Sequence, residues 1–195
     1  MSLQTRLTAL ALETNLPTLN NIVRGIEKES LRVETSGRMA TTPHPPALGS
    51  ALTHPSITTD YSEALLEFIT APSASIDEVL NELEEIHSYT YQHIDDELLW
   101  VSSMPCQLGD DSSIPVGQYG SSNNGQMKTV YRLGLGNRYG RLMQTIAGIH
   151  YNFSVPDELW QQLHTLENSQ QSLKDFKTDG YFALIRNFRR YFWLL

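Results

Sequence analysis

A single cysteine, Cys106, in a chain of 195 residues leaves no intramolecular disulfide to be made. It reads as a small, inert apolar residue. No run of about eighteen apolar residues occurs, so no segment reads as a transmembrane helix. The first residues, MSLQTRLTALALETNL, lack a basic start followed by a continuous apolar stretch, and so do not read as a secretory signal. Positive charge is scarce too: 14 Lys and Arg face 22 Asp and Glu, a net charge of -8. Nucleic acids and anionic membranes want a basic face, so neither is expected as a partner. A negative chain can still bind a negative substrate when metal cations stand between them. These absences lead to a soluble, cytoplasmic protein as the expectation. Internal repeats and low-complexity tracts are also missing.

The hydrophobic share of 40% is enough for a real core, and the length suits about one domain. Leu3, Leu7, Leu10 and Ala11 recur at helical spacing, which predicts a short helix over residues 2–13. Residues 15–21 contain Pro17 and read as a break. Residues 22–34 read as a strand, followed by a turn at Gly37. The Pro-rich stretch 41–55 is irregular. Ser75 and Glu78 form a capping box before a helical stripe of Ile76, Val79, Leu80, Leu83, Ile86 and Ile94, interrupted by Thr90. Residues 105–128 read as a long Gly- and Pro-rich loop, and residues 129–142 as a helix weakened by three glycines. Pro156, Asp157 and Glu158 open a further helix. The final segment is amphipathic, with Phe182, Ile185, Phe188 and Phe192 in register, and ends on Trp193, Leu194 and Leu195 without a cap. That ending reads as truncation, and its apolar stripe predicts self-association.

The strand GIEKESLRV has an unusual parity. Glu27, Glu29, Leu31 and Val33 share one face; Ile26, Lys28, Ser30 and Arg32 share the other. The acids thus sit on the more apolar side. In SEALLEFIT, residues 62–70, Glu63, Leu65, Glu67 and Ile69 face one way, and Ala64, Leu66 and Phe68 face the other, as core. In QTIAGIHYNFS, Thr145, Ala147, Ile149, Tyr151 and Phe153 read as a core face, with Gln144, Gly148, His150 and Asn152 opposite. Three strands therefore offer Glu27 and Glu29, Glu67 with Asp60 nearby, and His150. Asp60 is off parity with Glu67 and joins its face only through a loop or bulge near residues 60–62. Carboxylates about 6.6 Å apart along a strand, with one imidazole, match Mg²⁺ or Mn²⁺. Gly148 would let a ligand approach the sheet closely. Taken singly, an acid of this kind is more often a solvated surface charge than a ligand, and a lone strand histidine more often structural.

Five blocks in order carry a resemblance: RGIEKESLRV, HPPALGSALTHPSITTDYSEALLEFIT, SMPC, QYGSSNNGQMKTVYRLGLGNRYG and MQTIAGIHYNFS. They resemble the proteobacterial glutamate–cysteine ligases, or γ-glutamylcysteine synthetases, over nearly all of residues 20–195. The family is longer, so residues 1–195 would be the N-terminal part of a single catalytic domain. The resemblance implies an α+β, glutamine synthetase-like fold in which an antiparallel sheet curls into a funnel with helices outside. It implies that Glu27, Glu29, Asp60, Glu67 and His150 hold Mg²⁺ or Mn²⁺. It also implies that Tyr61, Tyr131 and Leu135 shape the pocket for the cysteine side chain, and that Gln144 touches substrate. The family often carries Phe where Tyr61 stands. The implied substrates are glutamate, cysteine and ATP, joined through γ-glutamyl phosphate in the first step of glutathione synthesis. The 195-residue chain would lack part of that machinery and be inactive alone. Two alternatives are a non-catalytic fragment that self-associates and a ligase of the same fold that uses another amine.

Overall fold

The structure is a computed structural model and describes residues 3–12 and 15–194. Its chain forms two compact units, residues 24–152 and residues 1–23 with 153–195.

The larger unit is built on an antiparallel sheet. Strand β1 (Val23–Val33) is its spine. Strand β2 (Ile57–Thr59) and strand β3 (Leu65–Ile69) form a hairpin, and β3 pairs with β1 so that Glu29 lies opposite Glu67 and Leu31 opposite Leu65. On its other edge, β1 takes β4 (Leu98–Leu99) at Arg32 and Val33. Strand β5 (Ile149–Ser154) also pairs with β1. The sheet is open, in the order β2-β3-β1-β4. A tight turn with Gly37 at φ +82° follows β1 and brings Met39 back beside Val33.

The two faces of the sheet differ along their length. On the face of Glu27 and Glu29, the far end is apolar: Leu31, Val33 and Leu65 pack with Met39, Tyr61, Ala64, Ile114, Val116 and Ala147. The acids begin where that cluster stops. The reverse face is buried as well. Leu66 and Phe68 pack with Ile57, Leu99, Leu48 and Ile94 beneath helix α3 (Ile76–Tyr91), which contributes Ile86 and Leu83. Ala64, expected on the side of Leu66 and Phe68, belongs to the opposite cluster because it precedes the strand. From Glu29 onward both faces of β1 are covered, so Arg32 is 1% exposed, with its guanidinium on Glu97 at 2.5 Å and on main-chain oxygens of Thr42, Pro43 and Glu63.

Ser75 caps α3 by accepting the Glu78 N–H, but the Glu78 carboxylate takes the Ser73 hydroxyl instead of closing the box. Of the expected stripe, Val79, Ile86, Thr90 and Ile94 are buried, whereas Ile76 and Leu80 are half or more exposed. Helix α4 (Asn123–Tyr139) starts six residues before the expected position, capped by Ser122. The expected loop therefore ends at residue 122. The expected strand over residues 144–154 is shorter: residues 142–145 form a 3₁₀ turn and β5 begins at Ile149. Thr145 and Ala147 are buried, but Ile149, Tyr151 and Phe153 are exposed, contrary to the expected core face.

The smaller unit holds α1 (Leu3–Leu10), α2 (Leu16–Asn20), α5 (Asp157–Leu166) and α6 (Leu173–Tyr191). The ends expected for the first helix, Ser2 and Glu13, and the final Leu195 lie outside the described residues. Residues 15–21, expected as a break, contain α2, since Pro17 is tolerated in a first helical turn. Trp160 of α5 packs against Tyr181 and Phe176 of α6, with Gly180 leaving room for its ring. No residue of α6 is buried. Among the described residues, no helix is long and apolar enough to cross a membrane.

Candidate metal centre

Register sets the centre. The β1–β3 pairing puts Glu29 and Glu67 side by side on one face, and period-two alternation brings Glu27 to that face. On the other edge of β1, the Glu29 N–H donates to the Gly148 carbonyl at 2.9 Å, and the Gly148 N–H donates to Glu29 Oε2 at 2.7 Å. This double tie fixes the approach to β5. From β5, His150 Nδ1 lies 2.9 Å from Glu27 Oε2, and Asn152 Nδ2 donates to Glu27 Oε1 at 2.8 Å. Glu27, Glu67 and His150 each present a ligand atom, all within 4.8 Å of one another. A methyl group at Gly148 would sit 3.1 Å from His150 Nε2 and 3.6 Å from both Glu29 oxygens, so glycine keeps this space open.

The turn between β2 and β3 brings in Asp60, whose N–H donates to the Leu65 carbonyl. This is the intervening loop that its parity required. Its charge is felt by both Glu29 and Glu67. Burial, then the charges of Asp60, Glu29 and Glu27, push the Glu67 carboxyl up to about 7. Burial likewise raises Glu29, against the Gly148 N–H, and raises Asp60, against the charges of Arg132 and His150. The hydrogen bond with Glu27 raises His150 despite partial desolvation. Like charges crowded on one face raise the cost of ionising each. A divalent cation reverses that cost, and carboxylates with one imidazole are a donor set that suits Mg²⁺ or, better, Mn²⁺. The residues present fit such an ion.

The remaining expected residues are dispersed. Tyr61 is 1% exposed within the apolar cluster, and its hydroxyl packs on α4 at Gly136. Leu135 of α4 packs on the same cluster, while Tyr131, one turn earlier, is exposed. Gln144 is half-buried in the 3₁₀ turn, so strand parity does not place it beside His150.

Two contributors had no signal in the strand pattern. Arg132 Nε donates to the Asp60 carbonyl, and its guanidinium lies over the Tyr119 ring at 4.5 Å. Glu63, 7% exposed, accepts the His44 N–H at 2.6 Å and the Gln118 N–H, and so holds two loops together. A hint for Arg132 lay in its spacing one helical turn from Lys128. None existed for Glu63, whose partners are main-chain groups far along the chain.

A family model described as glutamate–cysteine ligase matches residues 7–195. The chain belongs to that family. It is 64% identical over 181 residues to a glutamate–cysteine ligase of Saccharophagus degradans, covering 93% of this chain and 34% of the relative. It is 62% identical over 193 residues to one from Alcanivorax borkumensis, covering 99% and 37%. Among solved structures, it resembles the glutamate–cysteine ligase of Francisella tularensis in complex with AMP, with a TM-score of 0.83 at 45% identity over 90% of this chain and 34% of that one. A bifunctional glutathione synthetase from Pasteurella multocida matches with a TM-score of 0.84 at 34% identity, covering 96% and 24%. The chain thus spans about a third of the length of the curated relatives it matches. Its α+β architecture, an open antiparallel sheet with helices, is that of the matched part of these two structures.

Proposed function

We propose that residues 1–195 form the N-terminal part of a single catalytic domain that joins the γ-carboxylate of glutamate to the amine of cysteine at the expense of ATP. The observation that carries this reading is the convergence of Glu27, Glu67 and His150 within 4.8 Å in a chain of this family. The AMP bound to the Francisella tularensis relative supports a nucleotide substrate. In the proposed reaction, a γ-carboxylate oxygen of glutamate attacks the γ-phosphorus of ATP and ADP leaves. The cysteine amine then attacks the acyl carbon of γ-glutamyl phosphate, phosphate leaves, and the amine gives up a proton to solvent. Such transfer depends on positioning and charge neutralisation.

Glu27, Glu67 and His150 would hold a Mg²⁺ or Mn²⁺ ion, with Glu29 and Asp60 around them. Bound there, the ion supplies positive charge toward phosphate oxygens. Glu29 clamps Gly148, which keeps β5 and His150 in register. Glu27 and Asn152 fix the His150 ring and the carboxylate that faces it. Arg132 places a permanent cation beside Asp60. Tyr61 and Leu135 would back the pocket for the cysteine side chain from within the apolar cluster, Tyr131 would offer it an exposed ring, and Gln144 would contact substrate. The 195-residue chain alone is proposed to be inactive, and to self-associate through the exposed stripe of α6.

ADP release that requires both glutamate and cysteine is the test, measured on the complete protein and on this chain. The complete protein should release ADP, and Glu67→Gln should abolish that release. Turnover with glutamate that proceeds without cysteine, or with another amine in preference, would replace the substrate assignment. Turnover by the 195-residue chain itself would refute its proposed inactivity.

A further inference from the structure

Tyr119 lies outside every strand and helix, yet it is 5% exposed. Its hydroxyl is committed to the turn that carries Asp60. It donates toward the Thr59 carbonyl at 2.8 Å and the Asp60 carbonyl at 3.2 Å, and accepts from Thr59 Oγ1 at 2.8 Å. Its ring meets two cations of α4, Arg132 at 4.5 Å and Lys128 at 5.1 Å from the centroid. Arg132 closes the circuit, since its Nε donates to the same Asp60 carbonyl and its Nη1 to the Lys128 carbonyl at 3.0 Å. An aromatic face attracts a guanidinium, and two planar groups so stacked lose little freedom per bond made.

Gly117 leaves room for this side chain, and the backbone on either side of it is tightly held. A methyl group at Gly117 would lie 3.0 Å from the Tyr119 hydroxyl and 3.2 Å from its ring. One at Gly125, in the first turn of α4, would collide with the Tyr119 carbonyl and lie 2.8 Å from that of Gly120. Just before Tyr119, the buried Glu63 carboxylate holds the Gln118 N–H.

We propose that Tyr119 is a positioning residue: its ring and hydroxyl together fix Arg132 against the Asp60 main chain, and so set where the positive charge of α4 meets the acid cluster. The importance of that charge for catalysis rests on the metal reading above, whereas the placement does not. A cation held in place costs no reorganisation when an anionic group arrives, which a freely moving arginine would not achieve.

Proton NMR of the ¹⁵N-labelled chain reads the Arg132 Nε–H directly, with Arg132→Lys assigning the signal. Exchange with water should be slow in the wild-type chain, about tenfold faster in Tyr119→Phe, and about a hundredfold faster in Tyr119→Leu, as local opening becomes easier. Gly117→Ala, whose methyl group would press on the Tyr119 hydroxyl and ring, should also speed it. Exchange as slow in folded Tyr119→Phe and Tyr119→Leu as in the wild type would overturn the proposal. If Tyr119→Leu does not fold, Tyr119→Phe decides alone. Mn²⁺ titration of the wild-type chain runs beside this experiment. Absence of binding would sink the metal reading and leave the exchange rates to judge Tyr119.

Discussion

Glu67 keeps its proton to about pH 7, because burial and three neighbouring acids all oppose its charge. The sign of the consequence is fixed by linkage. A carboxyl raised from an unfolded value of 4.5 stabilises the fold below that pH, and the contribution is lost as pH rises through about 7. Gln cannot lose a proton. Without metal, Glu67→Gln should therefore gain stability on the wild type between pH 5 and pH 8, by an amount on the order of 1 kcal/mol or less given the partial exposure. Urea unfolding in a chelator checks this, and a difference that stays flat with pH would contradict it. The same variant should lose at least about tenfold in Mn²⁺ affinity, since ligand charge sets affinity in such sites. Residue by residue, the centre was legible where the rule is local. Period-two alternation put Glu27 with Glu29 on one face of β1 and gave the faces of Glu67 and His150 within their own strands, but that they share one site was implied only by the family resemblance. Arg32 was not legible, because its burial depends on Glu97, 65 residues further along the chain. Gln144 was misplaced because the strand gives way to a 3₁₀ turn before reaching it.

At the scale of elements, the approach to β5 is the most exacting piece. Gly148 bonds Glu29 through both its N–H and its carbonyl, and a side chain there would crowd His150 Nε2 at 3.1 Å. Gly148→Ala should keep the sheet, since its φ is not left-handed, but displace His150. A drop of about three- to tenfold in Mn²⁺ affinity, with a melting temperature within about 3 °C of wild type, is expected for so tight a contact. Calorimetric titration checks it, and unchanged affinity would mean that His150 is not a ligand. Element type was well signalled for α3, whose cap and stripe are both in the sequence. The start of α4 was not, because Asn123, Asn124 and Gly125 are loop formers. Gly125 is there for the Tyr119 carbonyl that presses on it, a tertiary demand that propensity does not register.

At the scale of the whole chain, α6 and the residue just after its end carry an exposed apolar stripe. Phe182, Ile185, Phe188 and Phe192 are each more than half exposed, and burying any one is worth roughly 1.5–3 kcal/mol. Sedimentation at micromolar concentration should show self-association, which Phe182→Glu with Phe188→Glu should abolish; a strictly monomeric wild-type chain would contradict this. The acidic face of the sheet is proposed to be a cation site. Anomalous diffraction from crystals grown with Mn²⁺ tests that claim most directly. An anomalous peak is expected within bonding distance of Glu27, Glu67 and His150, lost in Glu67→Gln. A fully occupied crystal with no peak among those three side chains, or with Mn²⁺ bound only elsewhere, would contradict it.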